Sequence, residues 1–251
     1  MKCKHCNVEN PARAKYCIEC GKRLKEGSTA AYYMDHACAA LRDGKLNEAI
    51  EDYKKAIELD PKNATAHSSL GSIYYRKAML DEAISEYKKA VAKNPNYAGA
   101  HYELGITLYR RGDFENAIKS FKKALEVNPN IHIAKYWLGL SYYYSGKLDE
   151  GIEAFEDVIL KQPEIVIALY HLGVAYARKN DNQKAIDSFE KFLKVSPRSA
   201  AAHYNLGLAY YNKGDIDEAI DHFTNAIKID PDDKKSKKNL EMLEEVKAKF
   251  F

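Results

Sequence analysis

The chain has no apolar run of the ~18 residues that a membrane span requires. Its opening, Met1-Lys2-Cys3-Lys4, has no hydrophobic stretch of the secretory kind. Both absences predict a cytoplasmic protein, and in that reducing compartment paired cysteines favour metal over disulfide. Charge of one sign is nearly lacking: the net charge is +3, too little to draw the whole chain to nucleic acid or membrane. Catalytic signatures are also missing. No His-Glu-x-x-His occurs, and Gly146-Lys147 lacks the earlier glycine of a phosphate loop. Beyond residue 20 there is one cysteine, Cys38. Without a paired base it reads as a small buried hydrophobe rather than a nucleophile. Together these absences argue against an enzyme.

Proline is scarce, and its placement is what the chain does have. Six of the seven prolines stand 34 apart, at Pro61, Pro95, Pro129, Pro163, Pro197 and Pro231. A fixed period of this size means one folding unit copied along the chain. The register defines blocks 30–63, 64–97, 98–131, 132–165, 166–199 and 200–233. Each reads as two short amphipathic helices. In the third block, Leu104, Gly105 and Leu108 form one stripe, and Gly112 supplies the positive φ of the turn. Ala117, Ile118, Phe121, Ala124 and Leu125 form the second stripe, which Asn128-Pro129 stops. Gly71, Gly105, Gly139, Gly173 and Gly207 recur in the first helices. Each costs roughly 1 kcal/mol against alanine, so close packing must require them.

The recurring Leu-Gly-x-x-Tyr (Leu70-Gly71 with Tyr74, Leu138-Gly139 with Tyr142, Leu172-Gly173 with Tyr176, Leu206-Gly207 with Tyr210) runs on into Asp-Glu-Ala-Ile, an aromatic, Ala and Pro. This pattern over residues 30–233 resembles the tetratricopeptide repeat family. The resemblance implies an all-α, right-handed superhelical solenoid of six helix pairs with a concave inner face. Block one departs from the pattern with His36, Ala37 and Ala40 and reads as a modified end unit. Phe192, in place of a small residue, predicts a splayed junction between blocks five and six. Asn180 stands where a turn glycine would, and tolerates the same left-handed backbone. His67, His101 and His203 share the fourth place of their blocks and read as packing residues. Residues 234–251 carry a one-sided stripe, Leu240, Leu243, Val246 and Phe250, and read as a helix capping the last repeat.

Cys3-x-x-Cys6 and Cys17-x-x-Cys20 lie outside the periodic array. Four thiolates at this spacing can close a structural tetrahedral zinc site with no open coordination position. Residues 1–25 resemble a short zinc ribbon, joined to the repeats by a linker at 26–29. The segment holds seven basic and two acidic residues. Lys2, Lys4, Arg13, Lys15, Lys22 and Arg23 therefore leave a nucleic-acid contact open, although a solvated basic surface explains them equally. His5 reads as solvent-exposed.

Places five, nine, twelve and thirteen of each block share one side of the first helix, the side that lines the groove in the resembled family. They hold Tyr102, Tyr136, Tyr170 and Tyr204, then Tyr75, Tyr109, Tyr143 and Tyr211, then Arg42, Arg76, Arg110 and Arg178. Tyrosine and arginine are enriched at binding hot spots. The wall suits a protein or extended peptide with acidic or aromatic side chains, although packing between repeats also explains many of the tyrosines. The chaperone carboxylate clamp and the asparagine ladder of sugar-transferase arrays are absent. Three readings follow: a protein–protein interaction adaptor, a nucleic-acid-associated regulator working through the ribbon, or a self-associating organelle scaffold such as magnetosome-associated repeat proteins form.

Overall fold

In the computed structural model, residues 2, 3, 6–11, 17–21 and 29–250 are described, the side chains of 249 and 250 excepted. His5, Lys4, Arg13, Lys15, Lys22, Arg23, the linker at 26–28 and the Phe250 side chain fall outside them. The chain forms two compact units, Met1–Arg111 and Gly112–Phe251.

The first unit holds α1 (Ala30–Arg42), α2 (Leu46–Leu59), α3 (Ala64–Arg76), α4 (Leu80–Lys93) and α5 (Ala98–Arg111). Each helix packs on its successor. Despite its altered motif, block one is a complete helix pair. Ala37, Ala40, Ala49, Ile50 and Tyr53 share a core with Ala66, Leu70 and Ile73 of α3.

The second unit holds α6 (Phe114–Val127), α7 (His132–Tyr144), α8 (Leu148–Lys161), α9 (Ile167–Arg178), α10 (Asn182–Val195), α11 (Ala200–Lys213), α12 (Ile216–Ile229) and α13 (Lys234–Phe250). The proline register sets the ends of the second helices. Their C-caps are Asp60, Asn94, Asn128, Gln162, Ser196 and Asp230, each with φ between −125° and −146°. That is the extended backbone a following proline imposes.

The recurring small residues answer to measured contacts. A Cβ on Gly173 would stand 2.7 Å from the Phe189 ring, inside van der Waals contact. In block four the second helix also carries a glycine. A Cβ on Gly151 would lie 3.3 Å from the Gly139 carbonyl oxygen, so α7 and α8 approach through their backbones. Asn180 takes φ +61° as expected. Ala78, at the same turn place in block two, takes φ +59°, a conformation costly for any side chain with a Cβ.

Two expectations are corrected. No splay separates α10 from α11, which pack as closely as neighbouring helices at other junctions within the units. Phe192 turns inward, is buried, and meets the Tyr170 ring at 5.6 Å. Cys38 is exposed rather than buried, with its thiol 3.3 Å from the Tyr53 hydroxyl.

α13 continues the repeat register. Leu240 falls 34 residues after Leu206, and Leu243 is fully buried against Ala219 and Phe223. Val246 is exposed. Lys247 binds Asp217 at 2.5 Å, 30 residues back. The same interval joins Lys77 to Asn47, Arg111 to Asp81 and Lys179 to Asp149. α13 is thus the first helix of a seventh unit, serving as a lid on the sixth.

Candidate functional site

Two features carry chemistry. The first is the cysteine cluster. Cys3 and Cys17 are buried and Cys6 and Cys20 half-buried, and their four sulfurs lie within 4.8 Å of one another. Cys3 and Cys20 are 3.7 Å apart, Cys6 and Cys17 3.4 Å, and none forms a disulfide. Each Cys-x-x-Cys closes a tight turn, with the Asn7 N–H on the Cys3 carbonyl and the Gly21 N–H on that of Cys17. The following residue turns left-handed, Asn7 at φ +59° and Gly21 at +66°. Asn10 ties the two turns. Its amide donates to the Val8 carbonyl and the Cys17 sulfur, and its oxygen accepts from the Ile18 N–H.

The Cys20 N–H directed at Cys17 is the main influence holding that thiol down to about 6. The Glu19 N–H, Cys6 and Asn10 add to it, and burial opposes it. At Cys6 the Val8 N–H is the largest influence and stabilises the thiolate. The Cys17, Cys20 and Cys3 thiols, with burial, outweigh it and push Cys6 up to about 12. Four thiols this close cannot all ionise without a cation between them. These four residues could hold a metal ion.

The second feature is the first-helix face of each unit. In the first unit the exposed Arg110 guanidinium lies 4.7 Å over the Tyr75 ring. In the second, Arg178 lies 5.0 Å over Tyr143 and donates to its carbonyl at 3.1 Å. Both are the same join, a twelfth-place tyrosine capped by the thirteenth-place arginine of the next repeat. Arg42 and Arg76 are exposed, and Tyr102 and Tyr109 half-buried. Tyr211 is exposed.

The fifth-place tyrosines of the second unit sit deeper. Tyr136, Tyr170 and Tyr204 lean on Phe155, Phe189 and Phe223 at 6.1, 5.8 and 5.9 Å, and Tyr136 is buried. The Tyr170 hydroxyl accepts from Asn205 at 3.0 Å. These rings form the floor of the face, and Tyr143, Arg178 and Tyr211 form its rim.

Sequence reasoning passed over His171. It stacks on Phe155 at 6.0 Å and touches Tyr136 and Tyr170, and burial lowers it to about 4. Fourth-place histidines turn out to be polar clasps. His67 bonds Glu86 at 2.6 Å, and His203 bonds His222 at 3.1 Å. Their equal placement in the repeat was the available signal. Their partners, 19 residues on, were not flagged by any pattern.

Fold and face together define a repeat protein built of stacked helix pairs. Tetratricopeptide repeat profiles match residues 41–77, 79–112 and 175–214, then 98–131 and 200–233, then 136–194. The chain belongs to the tetratricopeptide repeat family. No curated protein matches it.

Among solved structures it is similar to YrrB, described as a tetratricopeptide repeat protein with an unusual peptide-binding site. The identity is 22%, over 73% of this chain and 95% of that one, with a TM-score of 0.65. MamA is 32% identical over 64% of this chain and 95% of its own, with a TM-score of 0.62. The C-terminal part of a repeat protein from Cytophaga hutchinsonii is 21% identical over 86% and 89%, with a TM-score of 0.71. Among the described residues no helix is long and apolar enough to cross a membrane.

Proposed function

We propose that the protein is a non-enzymatic adaptor that holds an extended segment of a partner protein along its first-helix faces. One observation carries this reading. The same Tyr–Arg join, Tyr75 with Arg110 and Tyr143 with Arg178, stands at the rim of each unit's face. Stacking on a ring fixes a guanidinium in place while its N–H groups stay available to a carboxylate. A partner strand carrying acidic and aromatic side chains fits such a rim. The family consists of interaction modules, and the peptide-binding YrrB shares the fold.

The four cysteines fit zinc. A Zn–S bond of about 2.3 Å sets sulfurs about 3.8 Å apart in a tetrahedron, and the sulfurs here are separated by 3.4 to 4.8 Å. We assign residues 1–25 to a structural zinc module, 26–29 to a linker, 30–233 to six repeats and 234–251 to the cap. Bound zinc would offset the mutual repulsion of the thiolates. The residues on which the nucleic-acid reading rested lie largely outside those described, and no observation favours it or the self-associating scaffold over the adaptor.

Arrays of 12-residue peptides probed with the purified chain test the adaptor. We expect bound peptides enriched in Asp, Glu and aromatics, with the signal lost when Tyr75→Ala and Arg110→Ala are combined. An unchanged pattern in the double variant removes these residues from the binding face.

A further inference from the structure

Four of the six repeats carry Phe where the second helix meets the first, but blocks one and two carry Tyr53 and Tyr87. Each added hydroxyl reaches the first-helix face of the first unit. That of Tyr53 lies 3.3 Å from the Cys38 thiol, with Ser69 close by. One repeat further, the counterparts of Cys38 and Ser69 are Ser72 and Glu103.

The Tyr87 ring is fully buried, and its hydroxyl has no hydrogen-bond partner. Burial, then the neighbouring Glu103 carboxylate, push this phenol well above its usual range, and the Ser72 hydroxyl opposes them. Glu103 is half-buried on α5, and among the described residues no cation or donor pairs with its carboxylate. Burial alone raises its pKa. The arginines that follow on α5 are engaged elsewhere, Arg110 on Tyr75 and Arg111 with Asp81 at 2.9 Å.

A desolvated carboxylate without a counter-charge opposes folding. It gains most from a cation that arrives with a ligand. The Tyr87 proton lacks an acceptor, and the adjacent Glu103 carboxylate would supply one in its ionised form. Ser72 is exposed beside them and offers a second acceptor. A compact ammonium with three rotatable donors suits separate acceptors of this kind better than a planar guanidinium does.

We propose that Glu103, backed by the Tyr87 hydroxyl and flanked by Ser72, receives a lysine ammonium of the bound segment. The arginine rim alone selects acidic and aromatic residues. Glu103 adds one position where a basic residue is required, which fixes the register of the segment. This inference rests on the adaptor reading.

The test is selection from a randomised nonapeptide display library with the full chain, its Glu103→Gln variant and its Tyr87→Phe variant. We expect wild type to enrich lysine at least tenfold at one position among acidic and aromatic residues. Glu103→Gln should lose that lysine and keep the other preferences, and Tyr87→Phe should weaken it several-fold. Thermal melts of both variants report folding, and Glu103→Gln should melt at or above the wild-type temperature because an unpaired charge is removed. Selection without lysine, or with arginine enriched equally, overturns the ammonium site and leaves the adaptor standing. Failure to enrich any sequence overturns the adaptor reading, and the ammonium site with it.

Discussion

A single methyl group decides whether α9 can lie where it does. The Phe189 ring occupies the space that a Cβ on Gly173 would need, at 2.7 Å. Gly173→Ala should therefore destabilise the protein by about 1–3 kcal/mol through overpacking, despite the better helix propensity of alanine. Urea unfolding followed by circular dichroism checks this. The opposite sign is expected at Ala78, whose φ of +59° suits glycine. Ala78→Gly should stabilise by about 0.5–1 kcal/mol, the left-handed strain outweighing the extra freedom of the unfolded chain. His171 gives a pH signature. Burial holds its folded pKa near 4, below the unfolded 6.5, so the unfolded state binds more protons between those values. Stability should be complete above pH 6.5 and fall by up to about 3 kcal/mol as pH drops towards 4. His171→Leu should flatten that slope in denaturant titrations.

At the scale of the element, α13 shows how an array ends. Leu243 is buried against Phe223 and Ala219, and Lys247 repeats the 30-residue clamp made earlier by Lys77, Arg111 and Lys179. The exposed clamp adds little, since surface ion pairs contribute about 0–1 kcal/mol. The buried leucine should dominate. Leu243→Ala is expected to cost about 2–5 kcal/mol and to raise amide exchange in α12 and α11 first. Lys247→Ala should leave exchange nearly unchanged. Equal effects from the two would mean that the clamp, not the core, holds the lid.

At the scale of the whole molecule, the cysteine cluster and the repeats draw on different sources of order. The core shared by α1, α2 and α3 is built from Ala, Ile, Leu and Tyr and includes none of the four cysteines. A segment under 30 residues cannot bury enough apolar surface to fold on its own, so a bound metal would organise it. Zinc analysis of the purified chain should find one ion per molecule, lost on combined Cys3→Ser and Cys17→Ser. Chelation should leave the helical signal at 222 nm and the melting of the repeats unchanged. Loss of the helical melt would show that the repeats depend on the metal.

The order and limits of the helices were legible because they follow from local rules. Proline stops each second helix, glycine or Asn180 turns each first one, and Leu240 repeats the stripe of Leu206. The cysteine cluster was legible for the same reason, since each pair sits in one short turn. The state of the face was decided only by tertiary structure. Tyr75 and Arg110 are 35 residues apart, and only stacked repeats bring the guanidinium over the ring. Cys38 stayed exposed because its neighbour is the Tyr53 hydroxyl, and Phe192 turned inward because the Tyr170 ring received it. Glu103 looked like any helix-surface glutamate until packing half-buried it beside the unpartnered hydroxyl of Tyr87. Local sequence specifies where the backbone turns. Burial and electrostatics depend on what the neighbouring repeat places opposite, and that is a property of the packed molecule.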